Sequence, residues 1–592
     1  MQILTIQERI NALRKEMRHT GLDVYLVLHS DPHFNEYLPA RWESIAWLTG
    51  FTGSAANMLI TENEIFLWTD SRYWLQAEKQ LQDTSIQLMK EGDSQVVNFL
   101  PYVQSLNQKN TLRIGINREQ LSLQTSDSLP FLIQTDDLID AIWEDRPNSP
   151  TSPITIVPND IAGLSPSEKI VQVYDLIKEA GFDTLYINKL DELCWLLNLR
   201  AQDIPYNPVF HGKAVLHCGH LFLIIDKNRI TINIQKHLET YNIETITDFW
   251  AWFTRLRQPG GTTCCKNADS IRPCADHRYV ADTWGPVRPV DFNPIERLKA
   301  IKNPTEINGL REAMLYDGVA LVRFERWLEH RVSEETPTTE LDVMKELHKL
   351  RSTHQSNRGE SFETIAGYGT NGAIVHYTAT SNAHSSLSPK SFLLVDSGGQ
   401  YTMGTTDITR TYPLGTLTTE ECRDYTAVLR GHIHLSMAQF PEGTLGHQLD
   451  PLARFPIWEI GGQYGHGTGH GVGHYLNVHE TPPSIRMNPT PGCIVPGMVT
   501  SDEPGLYRAN KHGIRIENLI LCVHKETTNF GEFYGFEPLT LCPISTTPII
   551  KDMMTDKEIK YLNTYHKLVF EKLSPFLEAE EVAWLKEKTT AI

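Results

Sequence analysis

The chain has 592 residues, several times the length of a usual domain, so we expect two to four domains. Its composition, with 40% hydrophobic and 21% charged residues, is that of an ordinary globular protein. The formal net charge of −18 argues against partners such as nucleic acids and anionic membranes. The sequence also contains no apolar run long enough to cross a bilayer.

The N-terminal stretch and the cysteines indicate a cytoplasmic protein. The first residues, MQILTIQERINALRKEMRHTG, alternate charged and apolar residues without an apolar core or cleavage site, so we expect no signal peptide. Nine cysteines, an odd number in a long chain, fit a reducing cytosol better than a disulfide framework. Cys264, Cys265 and Cys274, with His277 nearby, suggest a zinc site, but the usual spacing is missing. We therefore interpret this group as a loop with incidental thiols.

The first region reads as an α/β layer. An amphipathic helix is predicted from Ile6 to Met17, with Gly21 as its stop signal, followed by a buried strand from Val24 to Asp31. The runs IAWLTGFTGSAANMLIT and EIFLWTDSRYWLQ predict further strands separated by turns. Helices alternating with strands are typical of α/β architecture.

A second region repeats this beginning. A helix from Ser167 to Ala180 leads through Gly181-Phe182-Asp183 to the strand TLYI, as Gly21-Leu22-Asp23 leads to VYLV. One such match can arise by chance, but we expect a duplication, with related α/β domains at residues 1–160 and 161–292. The connecting stretch RPNSPTSPITIVPNDIAGLSPSE has the proline- and serine-rich composition of a domain boundary.

A third domain is predicted at residues 293–592. It opens with the helix ERLKAIKN and with a second helix that begins at Pro304 and has apolar residues at helical spacing from Ile307 to Leu328. From Ser391 onward, runs such as SFLLVDSG and MVTSDEP predict an antiparallel sheet. Helical spacing returns from Asp556 and predicts a C-terminal cap on the domain.

Five dispersed residues are candidate metal ligands. Four carboxylates and one histidine suit hard divalent ions such as Mn²⁺ better than structural zinc. Shared between two ions, the four negative charges are largely cancelled, and such a pair polarises a carbonyl and activates water. An unpaired acid beside apolar strand residues would be costly, and metal ligation is the simplest compensation. The five residues are Asp396, Asp407, His470, Glu503 and Glu517.

The local sequences favour such a site. Asp396 ends a strand before a glycine turn, Asp407 begins the returning strand, and Arg515 and Glu517 are predicted on one strand face. The glycines of HGTGHGVG around His470 bring the backbone close to a partner, while the missing lysine and helix start argue against a phosphate loop. His376 and His479 are each flanked by strand-like residues, and from the residues alone either one is a core histidine or a functional one.

Several motifs together resemble the catalytic domain of the M24 "pita-bread" metallopeptidases. They are HYTAT, VDSGGQYTMGTTDITRTY, HGTGHGVGHYLNVHE, SDEPGLY and GIRIEN. The chain is most similar to the long, three-domain form of the aminopeptidase P family, and WTDSRYWLQA and LDELCWLLNLRAQDIPYNPVF extend the resemblance into the first two domains. The resemblance implies two creatinase N-terminal-like α/β domains and a C-terminal α+β domain with a curved antiparallel sheet.

The resemblance also implies roles for individual residues. Asp407 and Glu517 would bridge two divalent ions, expected to be Mn²⁺, and Asp396, His470 and Glu503 would complete the ligands. A metal-bound hydroxide would attack the carbonyl before proline, with Glu503 shuttling the proton. His376 and His479 would hydrogen-bond the scissile carbonyl and the oxyanion. A list of substrate-binding residues follows from the same resemblance: His466, Arg515, Arg72 and, less directly, Asp70.

The implied function is hydrolysis of the Xaa-Pro bond at the N-terminus of peptides by a cytoplasmic homodimer. The closest alternative is an Xaa-Pro dipeptidase (prolidase), although the duplicated N-terminal region argues against this shorter enzyme and against methionine aminopeptidase. The complete ligand set argues against creatinase, which has the fold without metals. It also argues against a catalytically inactive peptidase-like scaffold, which would lack ligands and carry acidic tails. Thr481 departs from the glycine expected after VHE, which affects the loop shape rather than the chemistry.

Overall fold

A computed structural model describes residues 4–108, 111–247, 263–266, 288–290 and 293–592. The chain forms two compact units. The first comprises Met1–Val157 and Leu164–Ile295, and the second comprises Pro158–Gly163 and Glu296–Ile592. Among the described residues, no helix is both long and apolar enough to span a membrane.

The first half of the first unit is built on a six-stranded mixed sheet. Its opening helix begins at a capping box between Thr5 and Glu8 and ends at Gly21, which adopts the left-handed conformation that glycine tolerates. The strand order is β4-β3-β2-β1-β5-β6, and the outer pairs are parallel. The elements are α1 (Ile6–Thr20), β1 (Val24–Leu28), α2 (Ser44–Thr49), β2 (Asn57–Thr61), β3 (Ile65–Thr69), α3 (Trp74–Leu81), β4 (Gln87–Lys90), α4 (Phe99–Leu106), β5 (Ile114–Asn117), α5 (Leu123–Ser128) and β6 (Ile133–Thr135).

The second half repeats this topology. Its sheet has the order β12-β11-β10-β8-β13-β14, with the same sequence of antiparallel and parallel pairs. The repeated helix–glycine–strand pattern is therefore a true structural repeat. Its elements are β7 (Thr155–Ile156), α6 (Asn159–Ala162, in the second unit), α7 (Pro166–Glu179), β8 (Thr184–Ile187), α8 (Leu190–Leu197), β9 (Leu199–Arg200), β10 (Lys213–His217), β11 (His220–Ile224), α9 (Ile232–Thr240), β12 (Glu244–Ile246), β13 (Thr263–Lys266) and β14 (Arg288–Val290).

Three local predictions in this unit were wrong. The first strand ends at Leu28 rather than Asp31, and the run around Trp47 forms the helix α2, which ends at the left-handed Gly50. Short apolar runs fit a buried strand and a buried helix equally, so the pattern could not separate them. Cys264 and Cys265 lie in strand β13 rather than in a loop, while Cys274 and His277 lie outside the described residues.

The second unit combines long helices with antiparallel sheets. Pro304 begins the long helix α11 (Pro304–Ser333) as predicted, and the buried residues of that helix follow the predicted spacing. The main six-stranded sheet has the order β21-β28-β27-β24-β22-β23, and a three-stranded sheet has the order β16-β17-β20. All pairings within these two sheets are antiparallel, as predicted for this domain.

The second unit contains these elements in chain order: α10 (Pro294–Ala300, which begins in the first unit), α11 (Pro304–Ser333), α12 (Glu340–Arg351), β15 (Asn357–Glu360), β16 (Ile365–Tyr368), β17 (Phe392–Ser397), β18 (Gly399–Tyr401), β19 (Gly404–Thr405), β20 (Ile408–Pro413), α13 (Thr419–Ser436), β21 (Gln439–Pro441), α14 (Gly446–Glu459), β22 (Gly469–Gly471), β23 (Glu480–Ile485), β24 (Val499–Asp502), β25 (Gly505–Arg508), β26 (His512–Arg515), β27 (Asn518–Thr528), β28 (Gly531–Pro538), α15 (Asp556–Leu573) and α16 (Ala579–Lys588).

A buried ion pair joins the helices α11 and α12. The Arg351 guanidinium of α12 donates to both carboxylate oxygens of Asp317 on α11, at 2.7 and 3.1 Å. Tyr401 of β18 donates its hydroxyl to the same carboxylate at 2.9 Å. Both charged side chains are almost fully buried. This pair therefore ties both helices to the strand that follows Asp396.

We expect Asp317→Asn to lower the free energy of unfolding by about 3–5 kcal/mol, because Arg351 would remain buried without a counter-charge. The matched control is Glu537→Gln, which breaks the exposed pair with Arg311 and should cost less than about 1 kcal/mol. Denaturant unfolding of both variants beside the wild type measures the difference. Equal destabilisation by the two substitutions would contradict this account.

Candidate metal centre

Two sheets supply the predicted ligands. Asp396 lies on β17, and Asp407 directly precedes β20, the antiparallel partner of β17, as expected for a strand and its return. His470 lies on β22 and Glu503 directly follows β24, both in the six-stranded sheet. Glu517 was predicted on one strand with Arg515, but it lies between strands, because β26 ends at Arg515 and β27 begins at Asn518.

Three of these residues meet at one point. Ligand atoms of Asp407, His470 and Glu517 all lie within 4.8 Å of one another. The Nε2 atom of His470 is 3.5 Å from Asp407 Oδ2 and 3.4 Å from Glu503 Oε1. Thr409, two residues after Asp407, donates its hydroxyl to Glu517 Oε2 at 2.7 Å. Four of the five predicted ligands are thus linked by short distances.

The fifth ligand, Asp396, joins the group through Arg515. One carboxylate oxygen, Asp396 Oδ2, accepts a hydrogen bond from the Arg515 guanidinium at 2.6 Å. The other oxygen, Oδ1, is buried and accepts no hydrogen bond from the protein. A buried acceptor of this kind is costly unless a cation or an ordered water lies against it. Asp396 therefore has one oxygen, Oδ2, bound to Arg515 and another, Oδ1, that is suited to bind an ion.

The tautomer of His470 also suits an ion. Its Nδ1 atom lies 2.9 Å from the carbonyl oxygen of Gly471, so this nitrogen carries the proton and donates it. The lone pair then belongs to Nε2, the atom nearest to Asp407 and Glu503. Hydrogen-bonded histidines of this kind are typical metal ligands, because the second nitrogen fixes the ring and the tautomer.

The carboxylates disfavour their own ionisation in the absence of a cation. Burial, followed by the nearby charges of Asp396 and Glu503, raises the pKa of Asp407 well above its usual value. Burial and then Asp407 raise the pKa of Glu517 in the same way. Burial raises the pKa of Glu503 to about 7, with Asp396 adding to the rise and Arg515 opposing it. Oxygen-rich donors with excess negative charge are the set that two divalent ions would neutralise, so the residues fit such a pair.

A hydrogen-bonded triad lies beside the ligands. Arg515 donates to the Tyr507 hydroxyl at 2.6 Å, and that hydroxyl lies 2.8 Å from His466 Nε2. Since His466 Nδ1 lies 2.7 Å from the Gly467 carbonyl and donates to it, Nε2 accepts from Tyr507. The predicted residues His466 and Arg515 are thus brought together by Tyr507, which was not among the predicted site residues. Tyr507 stands in the quoted motif SDEPGLY, which was the available signal.

The two other predicted histidines lie in different surroundings. The ring of His479 is perpendicular to that of His470, with centroids 4.5 Å apart, in the bend before β23. His376 was predicted beside strand residues, but it lies partly buried in a turn after the 3-10 helix Gly369–Ala373. The apolar neighbours of His376 pack into a core cluster from a loop, which explains their strand-like composition.

Arg72 belongs to the first unit, where it follows β3. Its guanidinium donates to both carboxylate oxygens of Asp70, at 2.9 and 2.7 Å. Arg72 and Asp70, both suggested by the resemblance, are therefore partners of each other. The contact of Arg72 with substrate stays a prediction.

Comparisons with known proteins identify the family to which the chain belongs. Residues 308–524 match the sequence pattern of metallopeptidase family M24, and residues 532–592 match the C-terminal region of that family. A protein of Laccaria bicolor named "Probable Xaa-Pro aminopeptidase P" is 37% identical across 99% of this chain and 93% of its own length. The chain belongs to metallopeptidase family M24.

The N-terminal part of this M24 chain matches two family patterns that carry the same description. The creatinase/prolidase N-terminal domain matches residues 9–142 and again residues 145–306, which confirms the duplication. "Aminopeptidase P2" of Arabidopsis thaliana is 35% identical over 99% of the chain and 88% of its own length. The expected fold, with two creatinase-like domains and a pita-bread domain, is confirmed.

A solved structure resembles the whole M24 chain. It is the X-prolyl aminopeptidase of Caenorhabditis elegans, described as a cytosolic enzyme with a di-nuclear active site. The two share 30% sequence identity with a TM-score of 0.92, and each chain is covered completely.

The raised pKa of Glu503 predicts how stability depends on pH in metal-free protein. A carboxyl whose pKa is raised from 4.5 to about 7 on folding stabilises the fold at low pH, and this contribution is lost as the pH rises from 4.5 through 7. The full change corresponds to about 3 kcal/mol, at about 1.4 kcal/mol per pKa unit. Glu503→Gln removes this titration, so its stability relative to the wild type should increase between pH 5 and pH 8. Denaturant unfolding in chelator measures both proteins, and parallel pH profiles would contradict the prediction.

Proposed function

We propose that this chain is a dinuclear-metal Xaa-Pro aminopeptidase that removes the first residue from peptides with proline at the second position. The observation that carries the proposal is the meeting of Asp407, His470 and Glu517 in a chain of family M24. Full-length relatives named Xaa-Pro aminopeptidase P and a di-nuclear structural relative support it.

The residues proposed to hold two divalent ions are Asp396, Asp407, His470, Glu503 and Glu517. We propose Mn²⁺, because oxygen donors with one imidazole suit it. Two such ions supply Lewis-acid polarisation of the carbonyl and a water of lowered pKa. Each of these residues is chosen for an acceptor atom at the site. For Asp396 this atom is Oδ1, a buried oxygen that lacks a protein donor.

The other steps belong to side chains. Glu503 lies at the edge of the ligand group with 17% of its side chain exposed, so it can take a proton from water and deliver it to the leaving proline nitrogen. His479 and His376 are proposed to hydrogen-bond the carbonyl oxygen, most strongly when it carries negative charge.

Substrate binding is proposed to use the triad beside the ligands. His466, held in one tautomer by Tyr507, and Arg515, held by Asp396, form a rigid polar wall. A rigid wall suits the proline ring, which has little conformational freedom to lose on binding. The free α-amine of the peptide would be attracted by the carboxylate cluster, which accounts for exopeptidase behaviour.

We also propose a cytoplasmic homodimer with three domains at residues 1–160, 161–292 and 293–592. The C. elegans relative is described as cytosolic, which supports the location. The described cysteine side chains are free thiols, as suits a reducing compartment. Family matches at residues 9–142, 145–306 and 308–524 support a division into three domains.

The substrate class is tested with three peptides in the presence of Mn²⁺. We expect arginine to be released from Arg-Pro-Pro and not from Arg-Ala-Ala, because the proline ring occupies the rigid wall. Cleavage of Arg-Pro with no cleavage of Arg-Pro-Pro would instead identify a prolidase. Glu503→Gln serves as the inactive control in the same assay. Equal release from Arg-Pro-Pro and Arg-Ala-Ala would contradict the proline specificity.

A further inference from the structure

A buried carboxylate outside the proposed ligand set organises the loop that carries His376. Glu340 is the first residue of helix α12, and its side chain has no solvent exposure. Both of its oxygens accept two hydrogen bonds each. The donors are the Tyr368 backbone N–H at 2.7 Å, Asn371 Nδ2 at 2.9 Å, the Tyr377 hydroxyl at 2.9 Å and the Ser385 backbone N–H at 2.6 Å.

All four donors come from one stretch of chain, residues 368–385, and His376 lies in the middle of it. Tyr377, the residue directly after His376, reaches Glu340 Oε2 with its hydroxyl. Asn371 binds the other oxygen and also donates to the Tyr377 hydroxyl at 3.0 Å. The carboxylate thus fixes the loop on both sides of the histidine.

Regular pairing does not hold this loop in place. Between Ala373 and Phe392, the described bridges are isolated ones, such as Thr380 with Ala383. The backbone N–H of Glu340 also donates to the Ser385 carbonyl at 3.1 Å, so the loop is hydrogen-bonded to the start of α12 in both directions. The position of His376 therefore depends on side-chain hydrogen bonds more than on strand register.

A negative charge is well placed at this position. Glu340 follows the N-cap Thr339, at the end of α12 where free backbone N–H groups favour an anion. The four donors require four acceptor sites, which only an ionised carboxylate supplies. An amide at position 340 would direct its NH₂ group at two donors, whichever way it turned.

A second contact connects the loop to the substrate wall. Gly372 lies against Gly513 of β26, where a Cβ atom on Gly513 would come within 1.7 Å of the Gly372 carbonyl oxygen. The same strand ends at Arg515. Tyr377 packs in an apolar cluster with Ile365 and Leu394, against which Tyr507 also packs. The loop held by Glu340 therefore packs against the strands that carry Arg515 and Asp396.

We propose that Glu340 is a positioning residue that holds His376 at the reacting carbonyl. The inference rests on the proposed function, because it takes the role of His376 from there. Glu340 acts through the loop and touches none of the reacting atoms. Since His376 is proposed to bind the oxyanion more strongly than the carbonyl of bound substrate, loss of its position should lower kcat and leave KM nearly unchanged.

The test is a double-mutant cycle of Glu340→Gln and His376→Ala with Arg-Pro-Pro as substrate. We expect Glu340→Gln alone to lower kcat by about 10- to 100-fold, as for other residues that orient a catalytic group. In the His376→Ala background, the same substitution should change kcat by less than about 3-fold, because the group it positions is gone. Bound metal per chain should match the wild type in every variant.

Two further variants separate positioning from general stability. Tyr377→Phe keeps the ring in its apolar cluster and removes one donor, so it should give a smaller loss of kcat, and it replaces Glu340→Gln if that variant does not fold. Glu346→Gln removes another carboxylate of α12, one that pairs with Lys349 at the surface, and should leave kcat unchanged. Hydrogen exchange adds a readout without substrate: uptake in residues 369–387 should rise in Glu340→Gln and stay unchanged in residues 499–521.

Each contrary outcome is informative. If His376→Ala lowers kcat and Glu340→Gln lowers it by the same factor in both backgrounds, the inference is overturned and the proposed function stands. If His376→Ala has the kcat of the wild type, the role of His376 under the proposed function fails, and the inference fails with it. Unchanged hydrogen exchange in residues 369–387 would overturn the inference whatever the activity.

Discussion

The second unit is constrained by a set of buried and partly buried acceptor groups that face one another. Asp407, Glu517 and the Nε2 atom of His470 place ligand atoms within 4.8 Å, and Glu503 lies 3.4 Å from the same nitrogen. None of these atoms has a proton to share when the carboxylates are ionised and His470 donates from Nδ1. Such a group stays together at neutral pH only if protons or cations lie between its members. Strands of two separate sheets hold these groups together. The need for a neutralising charge therefore comes from the fold as a whole and not from one loop.

Arg515 supplies part of this positive charge and also orients the proposed substrate-binding residues. Its guanidinium joins Asp396, the Thr409 hydroxyl and the Tyr507 hydroxyl, at 2.6, 3.1 and 2.6 Å. Thr409 in turn donates to Glu517, and Tyr507 fixes His466. One cation therefore orients one ligand directly, a second through Thr409, and the proposed proline-binding histidine through Tyr507. The proposed metal ligands and the proposed substrate-binding residues share this network, so we expect changes at Arg515 to affect both metal binding and substrate binding.

The sequence predicted the parts of the site that depend on local patterns. Asp396, which ends an apolar run before a glycine turn, and Asp407, which begins the return, were expected on neighbouring strands for that local reason, and the strands β17 and β20 do pair. Pro304 and the spacing after it predicted α11 for the same local reason. The role of proline at the second substrate position came from the resemblance alone, since nothing in the spacing of the acids encodes it.

Contacts between distant segments were beyond local patterns. Tyr507 acts through Arg515 and His466, and Thr409 acts through Glu517, 108 residues further along the chain. Glu340 binds Tyr377 across 37 residues, and this contact explains why the segment around His376 is a loop despite its strand-like composition. The run around Trp47 forms a helix that was predicted as a strand, because six residues are too few to show a helical period in the sequence. In each case tertiary packing decided what the local sequence left open.

The most direct test of the two-ion site is the number of Mn²⁺ ions bound per chain at saturation, measured by calorimetric titration of chelator-treated protein and by elemental analysis. The wild type should bind two ions with high affinity, and so should the surface variant Glu537→Gln. The double variant Asp396→Asn, Glu517→Gln should bind neither ion with that affinity, because two of the five proposed ligands are lost together. Fewer than two ions in the wild type, or two ions retained in the double variant, would contradict the assignment.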